Sequence, residues 1–258
     1  MRDPARQISG FTLIEVLIGI TMSLLIISAA TTFYQRTITE SRKIKDSAML
    51  QETAFFTAHM ITQHFRQSGY KGIDPSLIAG RLIPIPTNAA FFPEVGSVWE
   101  QGQFIKASQN SVSMRFNGSS DNAGIADGSI VDCSGNAVAD GTIAENTLTF
   151  TNSRIICTSG AIAQTLVGSD DGLVVSQMVL TFGIDDGING SIDRYVLSTD
   201  ITTADLALAR EVLMNILLVS HRNIDATGKQ YQFNNTEYDY PDNRYRREVV
   251  VRTALRNL

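Results

Sequence analysis

The sequence predicts an α+β fold in which a long N-terminal helix precedes a β-rich domain. Residues 11–66 contain no proline and combine an apolar run with a helical pattern. Beyond Gly72, short segments rich in β-branched residues alternate with clusters of Gly, Asn, Asp and Ser, a pattern typical of strands joined by turns. We expect the helix to pack on an antiparallel sheet.

The first element is an apolar segment, residues 11–35, whose only charge is Glu15. As a helix it is roughly 37 Å long, which exceeds the ~30 Å hydrocarbon layer of a bilayer. We therefore predict that the first half of the helix spans a membrane. A charge at the centre of a spanning helix costs about 2.5 to 3.5 kcal/mol and is usually functional. Glu15 is therefore a candidate functional residue.

The string GFTLIEV follows a ten-residue leader that contains Arg2 and Arg6. This arrangement resembles the class III signal of type IV pilins and type II secretion pseudopilins. The resemblance implies that a prepilin peptidase cleaves between Gly10 and Phe11, that Phe11 is then N-methylated, and that Glu15 acts in assembly. It also implies a pilin-like fold.

The spacing between Phe11 and Glu15 has a chemical rationale. Cleavage would leave an α-amino group on Phe11, one helical turn before the carboxylate, and a helix N-terminus favours a negative charge. If helices stack with an axial stagger, Glu15 of one subunit meets the amine of its neighbour, and each charge offsets the desolvation of the other. We predict that this pair sets the register of assembly. Methylation keeps the amine charged.

Two alternatives remain for the N-terminal segment. Ser28, Ala29 and Ala30 follow the apolar stretch as small residues do at an ordinary secretory cleavage site. The segment also fits a plain single-pass anchor. In both alternatives the GFTLIEV string is a coincidence.

The helix is predicted to continue through residues 36–70. Gly69 and Gly72 are predicted to terminate it. Many major pilins have a proline where this chain has Thr32, and this difference argues against a kink there. We expect one apolar stripe to lie on the sheet; Phe56 and Met60 lie off it and pack either under the next loop or against neighbouring subunits. The predicted stripe comprises Ile44, Ala48, Phe55, Ala58, Thr62 and Phe65.

The remaining residues, 71–258, are predicted to form the globular domain. The segment 203–220 also fits a helix, and we interpret it as a short helical turn followed by a strand. Recognition is expected in the long loops 73–109 and 223–243. The predicted strands are residues 111–116, 146–152, 154–159, 173–184, 193–197, 211–220 and 247–255.

The order of QSGYKG, FGIDDGINGSIDRY and YRREVVVRTALRN resembles the PilW family of type IV minor pilins, which in turn is similar to the J-type minor pseudopilins. The resemblance implies a protein that sits in the inner membrane with a periplasmic globular domain and then joins a cell-surface pilus. There it would co-assemble with other minor pilins and the major pilin to prime assembly, in support of twitching motility, adhesion or DNA uptake. A minor pseudopilin and a tip adhesin are the alternatives.

Cys133 and Cys157 are the only cysteines. In an exported domain an even pair favours a disulfide, here across 23 intervening residues, and two free buried thiols are the alternative. His59, His64 and His221 have no zinc-site spacing. We expect His59 and His64 to be ordinary surface or interface residues.

The segment DDGINGSID, residues 185–193, has two interpretations. Asp185, Asn189 and Asp193 occupy positions one, five and nine of an oxygen-ligand Ca²⁺ loop, but Gly187 occupies position three and no glutamate follows at position twelve. A Gly/Asn-rich β-hairpin explains the same residues. We predict the hairpin and no cofactor, with weak Ca²⁺ binding as the alternative.

Composition argues against two other classes of function. The net charge is −5, and the basic string RYRRE at residues 244–248 is predicted to be a solvated strand edge, so we expect no direct binding of nucleic acid. The sequence has no GxSxG, P-loop or HExxH motif. We therefore predict a structural assembly protein that is not an enzyme.

Overall fold

The structure, a computed structural model, describes residues 12–72, 91–121, 123–168, 172–220 and 230–255. It has the predicted α+β architecture, a long N-terminal helix followed by antiparallel strands. The chain divides into two compact units, residues 1–48 and 49–258.

Helix α1, Leu13–Gln67, has 55 residues and runs through both units. It continues without interruption through Thr32, whose hydroxyl donates to the carbonyl of Ser28. The helix ends where the sequence predicts, because Gly69 takes a positive φ of 72° and its N–H donates to the carbonyl of Arg115.

The face of α1 that packs on the strands differs from the predicted one. Phe55 is 77% exposed and Ile44 is 69% exposed, so the predicted stripe is wrong at these positions, although Phe65 is buried. The true face is turned by one residue, about 100° around the helix, because Ala54 and Ile61 align with Phe65 at helical spacing. The buried residues of α1 are Leu50, Ala54, Thr57, Ile61, His64, Phe65 and Gln67.

The first sheet is an antiparallel meander of five strands in chain order. The β3–β4 turn consists of Asn152 and Ser153, both with positive φ, as a two-residue turn of this hand requires. The strands are β1 Ile105–Ser108, β2 Ser111–Asn117, β3 Ile143–Thr151, β4 Arg154–Ser159 and β5 Ile162–Val167.

The second group of elements contains a four-stranded sheet and a separate two-stranded hairpin. In chain order they are β6 Val174–Ile184, β7 Arg194–Leu197, helix α2 Thr203–Ala207, β8 Ala209–Val219, β9 Gln230–Phe233, β10 Thr236–Asp239 and β11 Arg246–Ala254. The sheet order is β11-β8-β6-β7, and β9 pairs with β10. The predicted helical turn followed by a strand is confirmed by α2 and β8.

One core joins the last part of α1 to both large sheets. Ile61 and Phe65 belong to the same buried cluster as Met114 of β2, Leu148 of β3 and Phe182 of β6. Strand β8 is buried on both faces, since its outer residues contact the β9–β10 hairpin. All seven predicted strands are present, and β1, β5, β9 and β10 were not predicted.

Candidate functional site

The first part of α1 exposes an unbroken apolar surface. Leu13, Val16, Leu24 and Phe33 are among its exposed side chains. Among the described residues, α1 is the one helix that is long enough and apolar enough to cross a membrane. Such a surface is stable only against hydrocarbon or other apolar helices.

Four hydroxyl groups in this segment, those of Thr21, Ser23, Thr31 and Thr32, donate to backbone carbonyls of the same helix. The Ser23 side chain donates to the carbonyl of Gly19 at 2.7 Å, and the Thr31 side chain donates to that of Ile27 at 2.8 Å. A hydroxyl that bonds its own helix adds little polar character in lipid. The charged side chain that remains is Glu15.

Glu15 lies in the first turn of α1 and is exposed. Its carboxylate accepts a 3.5 Å hydrogen bond from the hydroxyl of Thr12. A carboxylate at this end of a helix interacts favourably with the helix dipole. The predicted processing residues, Gly10 and Phe11, lie outside the described residues, and the predicted partner of Glu15 is the Phe11 amine of a neighbouring subunit.

Cys133 and Cys157 form the disulfide that the sequence favours, with their Cα atoms 5.5 Å apart. Both residues are buried. Cys157 lies on β4, whereas Cys133 lies in the loop between β2 and β3. The bond therefore fastens this loop to the five-stranded sheet.

His64 is not a surface residue, which corrects the prediction for it, whereas His59 is exposed. The ring of His64 is buried against Asn146 of β3, with Nδ1 lying 3.3 Å from the Asn146 amide nitrogen. Burial lowers the pKa of His64, and the Asp132 carboxylate opposes part of that shift. A helix residue thus contacts the same polar side chain that supports the disulfide loop.

The segment 185–193 is a hairpin connection between β6 and β7, as predicted. The buried Asp185 carboxylate accepts hydrogen bonds from the N–H groups of Asn189 and Gly190 and from Arg210. Desolvation raises its pKa, but these donors outweigh that effect and the net pKa is lowered.

The other two predicted Ca²⁺ ligands also bond within this loop. The Asn189 side-chain oxygen accepts from the N–H of Ser191, and Asp193 accepts from the N–H of Gly187. The three side chains therefore have structural roles, and weak Ca²⁺ binding stays an untested alternative.

Arg194 connects this hairpin to α2. Its guanidinium donates to Asp186 and to Asp205 of α2. Hydrogen bonds from Arg194, and then from Thr202, lower the pKa of Asp205 to about 2. The ion pairs of Arg194 therefore hold the β6–β7 hairpin against α2.

The basic string at residues 244–248 lies at the start of β11, a sheet edge, but it is less solvated than predicted. The Arg246 side chain is 5% exposed, pairs with Asp242 and lies 3.8 Å from the centre of the Tyr240 ring. Arg244 donates to the carbonyl of Ser220. These two arginines are held by intramolecular contacts.

Sequence reasoning missed a buried arginine. Arg115 of β2 lies between the rings of Phe92 and Trp99, 5.5 Å and 5.1 Å from their centres. Its guanidinium donates to the carbonyls of Pro93 and Gln103. Desolvation lowers the pKa of Arg115. The isolated arginine in the alternating string SVSMRF was the one available signal.

Two turns with the pattern D-x-x-G were also missed. Asp121 accepts from the N–H groups of residues 123 and 125, and Asp132 accepts in the same way from those of 134 and 136. In each turn the glycine at the fourth position has a φ near 78°, which favours glycine. The second turn presents Cys133 to its disulfide partner.

An open groove of about 440 Å³ lies between residues 100–105 and α2. Phe104 and Leu206 form part of its apolar lining, and among the described residues that line it Glu100 is the one ionisable side chain. The described lining therefore contains no pair of titratable groups of the kind that general acid–base catalysis uses.

No protein-family model and no curated protein sequence matches the chain. Among solved structures, the type IV-like pilin TTHA1219 from Thermus thermophilus is similar over 81% of this chain and 96% of that chain, with a TM-score of 0.49 and 11% sequence identity. This identity is too low to carry an activity or a partner from that protein to this chain.

Proposed function

We propose that the chain is a pilin-type subunit, a minor pilin that co-assembles with other minor pilins and the major pilin to prime type IV pilus assembly. The observation that supports this most strongly is the exposed apolar part of α1 with its single carboxylate, Glu15. The GFTLIEV string around that carboxylate supports the same proposal.

Glu15 is suited to join subunits. The hydroxyls of Thr21, Ser23, Thr31 and Thr32 are bonded within α1, so this carboxylate is the one charge in the segment that needs a partner in lipid. An amine at Phe11 of a staggered neighbour would supply that partner. The contact then has a defined register, because only one stagger brings the two charges together.

The proposal includes the location of the subunit. A prepilin peptidase would remove residues 1–10, and Phe11 would become the methylated N-terminus. Before assembly the apolar segment would anchor the protein in the inner membrane with its globular domain in the periplasm. The disulfide between Cys133 and Cys157 suits that oxidising compartment. After assembly the subunit would lie in the pilus, with the tip as its proposed position.

The test is to replace Glu15 with Gln and, separately, with Ala in the native host. We expect either variant to reach the membrane at normal levels while surface pili fall in number and the subunit is lost from sheared fibres. Leu17→Ala, which changes an exposed apolar residue two positions along the same helix, is the matched control and should assemble. Normal recovery of the Glu15 variants in fibres would refute the proposed role.

The same signal also fits a minor pseudopilin of a type II secretion system. A deletion strain separates the two functions. Loss of pili with normal secretion supports the pilus, and loss of secreted enzymes with normal pili supports the pseudopilus. If the role is priming, blocking retraction should partly restore pili in the deletion strain. Normal pili with lost attachment would instead indicate a tip adhesin.

A further inference from the structure

Strand β5 is an unprotected edge of the five-stranded sheet. It pairs with β4 on one side, and no strand in the described part of the chain pairs with its other side. Residues 162–165 are exposed, Leu166 is half-buried and Val167 is buried. Such an edge presents unpaired backbone N–H and C=O groups that pair readily with another strand.

The other edges of the two large sheets carry recognisable protection. On β1, Lys106 donates to the carbonyl of Val98. Strand β7 has four residues, and its Arg194 is held by two carboxylates. Strand β11 carries Arg247, Glu248 and Arg252. In contrast, β5 has the sequence IAQTLV, with no charge and no proline, although both devices are common on edge strands.

The conformation of β5 is fixed by its neighbours. Residues 162–165 pair with residues 156–159 in regular register, and the register shift falls beyond them, between Ile155 and Ile156. At the end of the strand, Gly168 has a φ of 98°, and a Cβ there would lie 2.7 Å from the carbonyl oxygen of Ser153. The glycine thus allows the chain to approach the β3–β4 turn closely. The free edge of β5 is therefore held in an extended conformation to which another strand can pair.

The sequence of β5 is complementary to itself. A two-fold antiparallel pair places one residue opposite its own copy. With Gln164 at that position, Ile162 faces Leu166 of the other copy, and Ala163 faces Thr165. On one face, Ile162 and Leu166 then meet on either side of a Gln164–Gln164 pair, and on the other face the small side chains of Ala163 and Thr165 meet, without opposed like charges. A register centred on Thr165 would instead place Gln164 opposite Leu166.

We propose that β5 pairs with β5 of a second copy of this chain, antiparallel and centred on Gln164. The pairing joins two five-stranded sheets into one continuous sheet of ten strands. Self-complementarity and the absence of charge identify a second copy as the occupant. The proposal concerns the sheet edge and does not depend on Glu15 or on pilus assembly.

The first experiment tests the register by cysteine crosslinking of the full chain in membranes. Chains carrying Ile162→Cys are co-expressed with chains carrying Leu166→Cys and treated with a short bismaleimide. We expect a crosslinked dimer of the two different chains, because these positions face each other across the pair. Either variant alone should stay monomeric, since its two cysteines lie about 13 Å apart along the strands. The native disulfide leaves no other thiol to react.

The second experiment tests the edge itself. Gln164→Lys places two ammonium groups opposite each other, and we expect it to lower the yield of the mixed crosslink about tenfold. Ala254→Lys, an exposed position on the charged edge strand β11, is the control and should leave the yield unchanged. Equal crosslinking of mixed and single variants overturns the proposal, as does a yield that Gln164→Lys does not change. Absence of any β5 crosslink also overturns it.

Discussion

The side-chain nitrogen of Asn146 lies 3.3 Å from Nδ1 of His64, in a buried contact between β3 and α1. The Asn146 oxygen accepts a hydrogen bond from the backbone N–H of Cys133. A backbone N–H can only donate, so this contact fixes which side-chain atom of Asn146 is the oxygen. The Asn146 nitrogen must therefore donate to His64, so Nδ1 of the imidazole carries no proton. This arrangement binds the helix, β3 and the disulfide loop through one amide, and it requires a neutral histidine.

We predict that acid weakens the fold in two separate pH ranges. The pKa of His64 is lowered in the folded protein, so the unfolded state binds more protons once the pH falls below about 6.5. Stability is therefore full above that pH and declines below it. The lowered pKa of Asp205, about 2, adds a second loss below about pH 4. Urea unfolding of the full chain in detergent at a series of pH values measures both.

The variant His64→Gln isolates the first range. Its side-chain oxygen also accepts from Asn146 but does not titrate, so we expect a flat stability between about pH 6.5 and pH 5. The loss below about pH 4 should remain. His59→Gln, at an exposed position on the same helix, should keep the wild-type profile. An unchanged slope in His64→Gln would show that another group titrates there.

We predict that the disulfide contributes substantially to stability. For a loop of this length the chain-entropy model gives about 3 kcal/mol, and the bond also fixes the turn whose N–H binds Asn146. The double variant Cys133→Ser, Cys157→Ser should lose about that free energy of unfolding, measured by the fluorescence of Trp99, the single tryptophan. Reduced wild-type protein should lose a similar free energy of unfolding. A loss confined to reduced wild-type protein would indicate damage unrelated to this bond.

The strands were predictable from the sequence where buried and exposed residues alternate along the strand. In β11, buried Val249, Val251 and Thr253 alternate with exposed residues, so the period of two is visible in the sequence. Strands β1 and β9 have four residues each and lie inside the segments 73–109 and 223–243, which were predicted to be long loops. Strand β5 is exposed on both faces along most of its length, so no burial pattern exists to find.

The buried face of α1 and the burial of polar side chains could not be predicted, because residues far along the chain determine them. Phe55 and Phe65 both fit an apolar stripe, and only the sheet decides which face it covers. The partner of His64 is 82 residues away, and the two rings that enclose Arg115 lie in another loop. Glu15 differs because its signal is local, a single charge in an apolar segment.

We predict that Arg115→Met destabilises the protein by about 1.5 to 3 kcal/mol, because it removes the charged donor to the carbonyls of Pro93 and Gln103. Arg115→Lys should cost less, since it keeps the charge but loses the planar contact with both rings. Urea unfolding followed by circular dichroism measures both variants. Equal stability of the Met variant and wild type would mean that the carbonyls find other donors.

We expect millimolar Ca²⁺ to leave the melting temperature unchanged. The Asp185 carboxylate already accepts two backbone N–H groups and pairs with Arg210, so an ion would have to displace all three donors. Thermal melts with CaCl₂, MgCl₂ and EDTA test this. A rise specific to CaCl₂ that Asn189→Ala and Asp193→Ala both abolish would instead establish a Ca²⁺ loop.

The last prediction concerns the mature N-terminus, which we expect to be Phe11. The leader carries Arg2 and Arg6, and the Gly10–Phe11 junction precedes an apolar segment whose carboxylate, Glu15, lies one turn farther on. A free amine at Phe11 would lie close to the membrane surface and near that carboxylate. Intact-mass measurement of the protein from membranes should show loss of ten residues and addition of one methyl group.

Gly10→Val should leave the leader attached, because a bulky side chain then occupies the position before the cut, while Ser9→Ala serves as the control and should be processed. The uncleaved variant keeps its apolar helix and should still be found in the membrane, yet it should be missing from sheared fibres because no amine is available to meet Glu15. A mature chain that begins at Thr31 would show secretory cleavage after Ala30. That result would remove the apolar segment and Glu15 together, and with them the basis for proposing a pilin-type subunit.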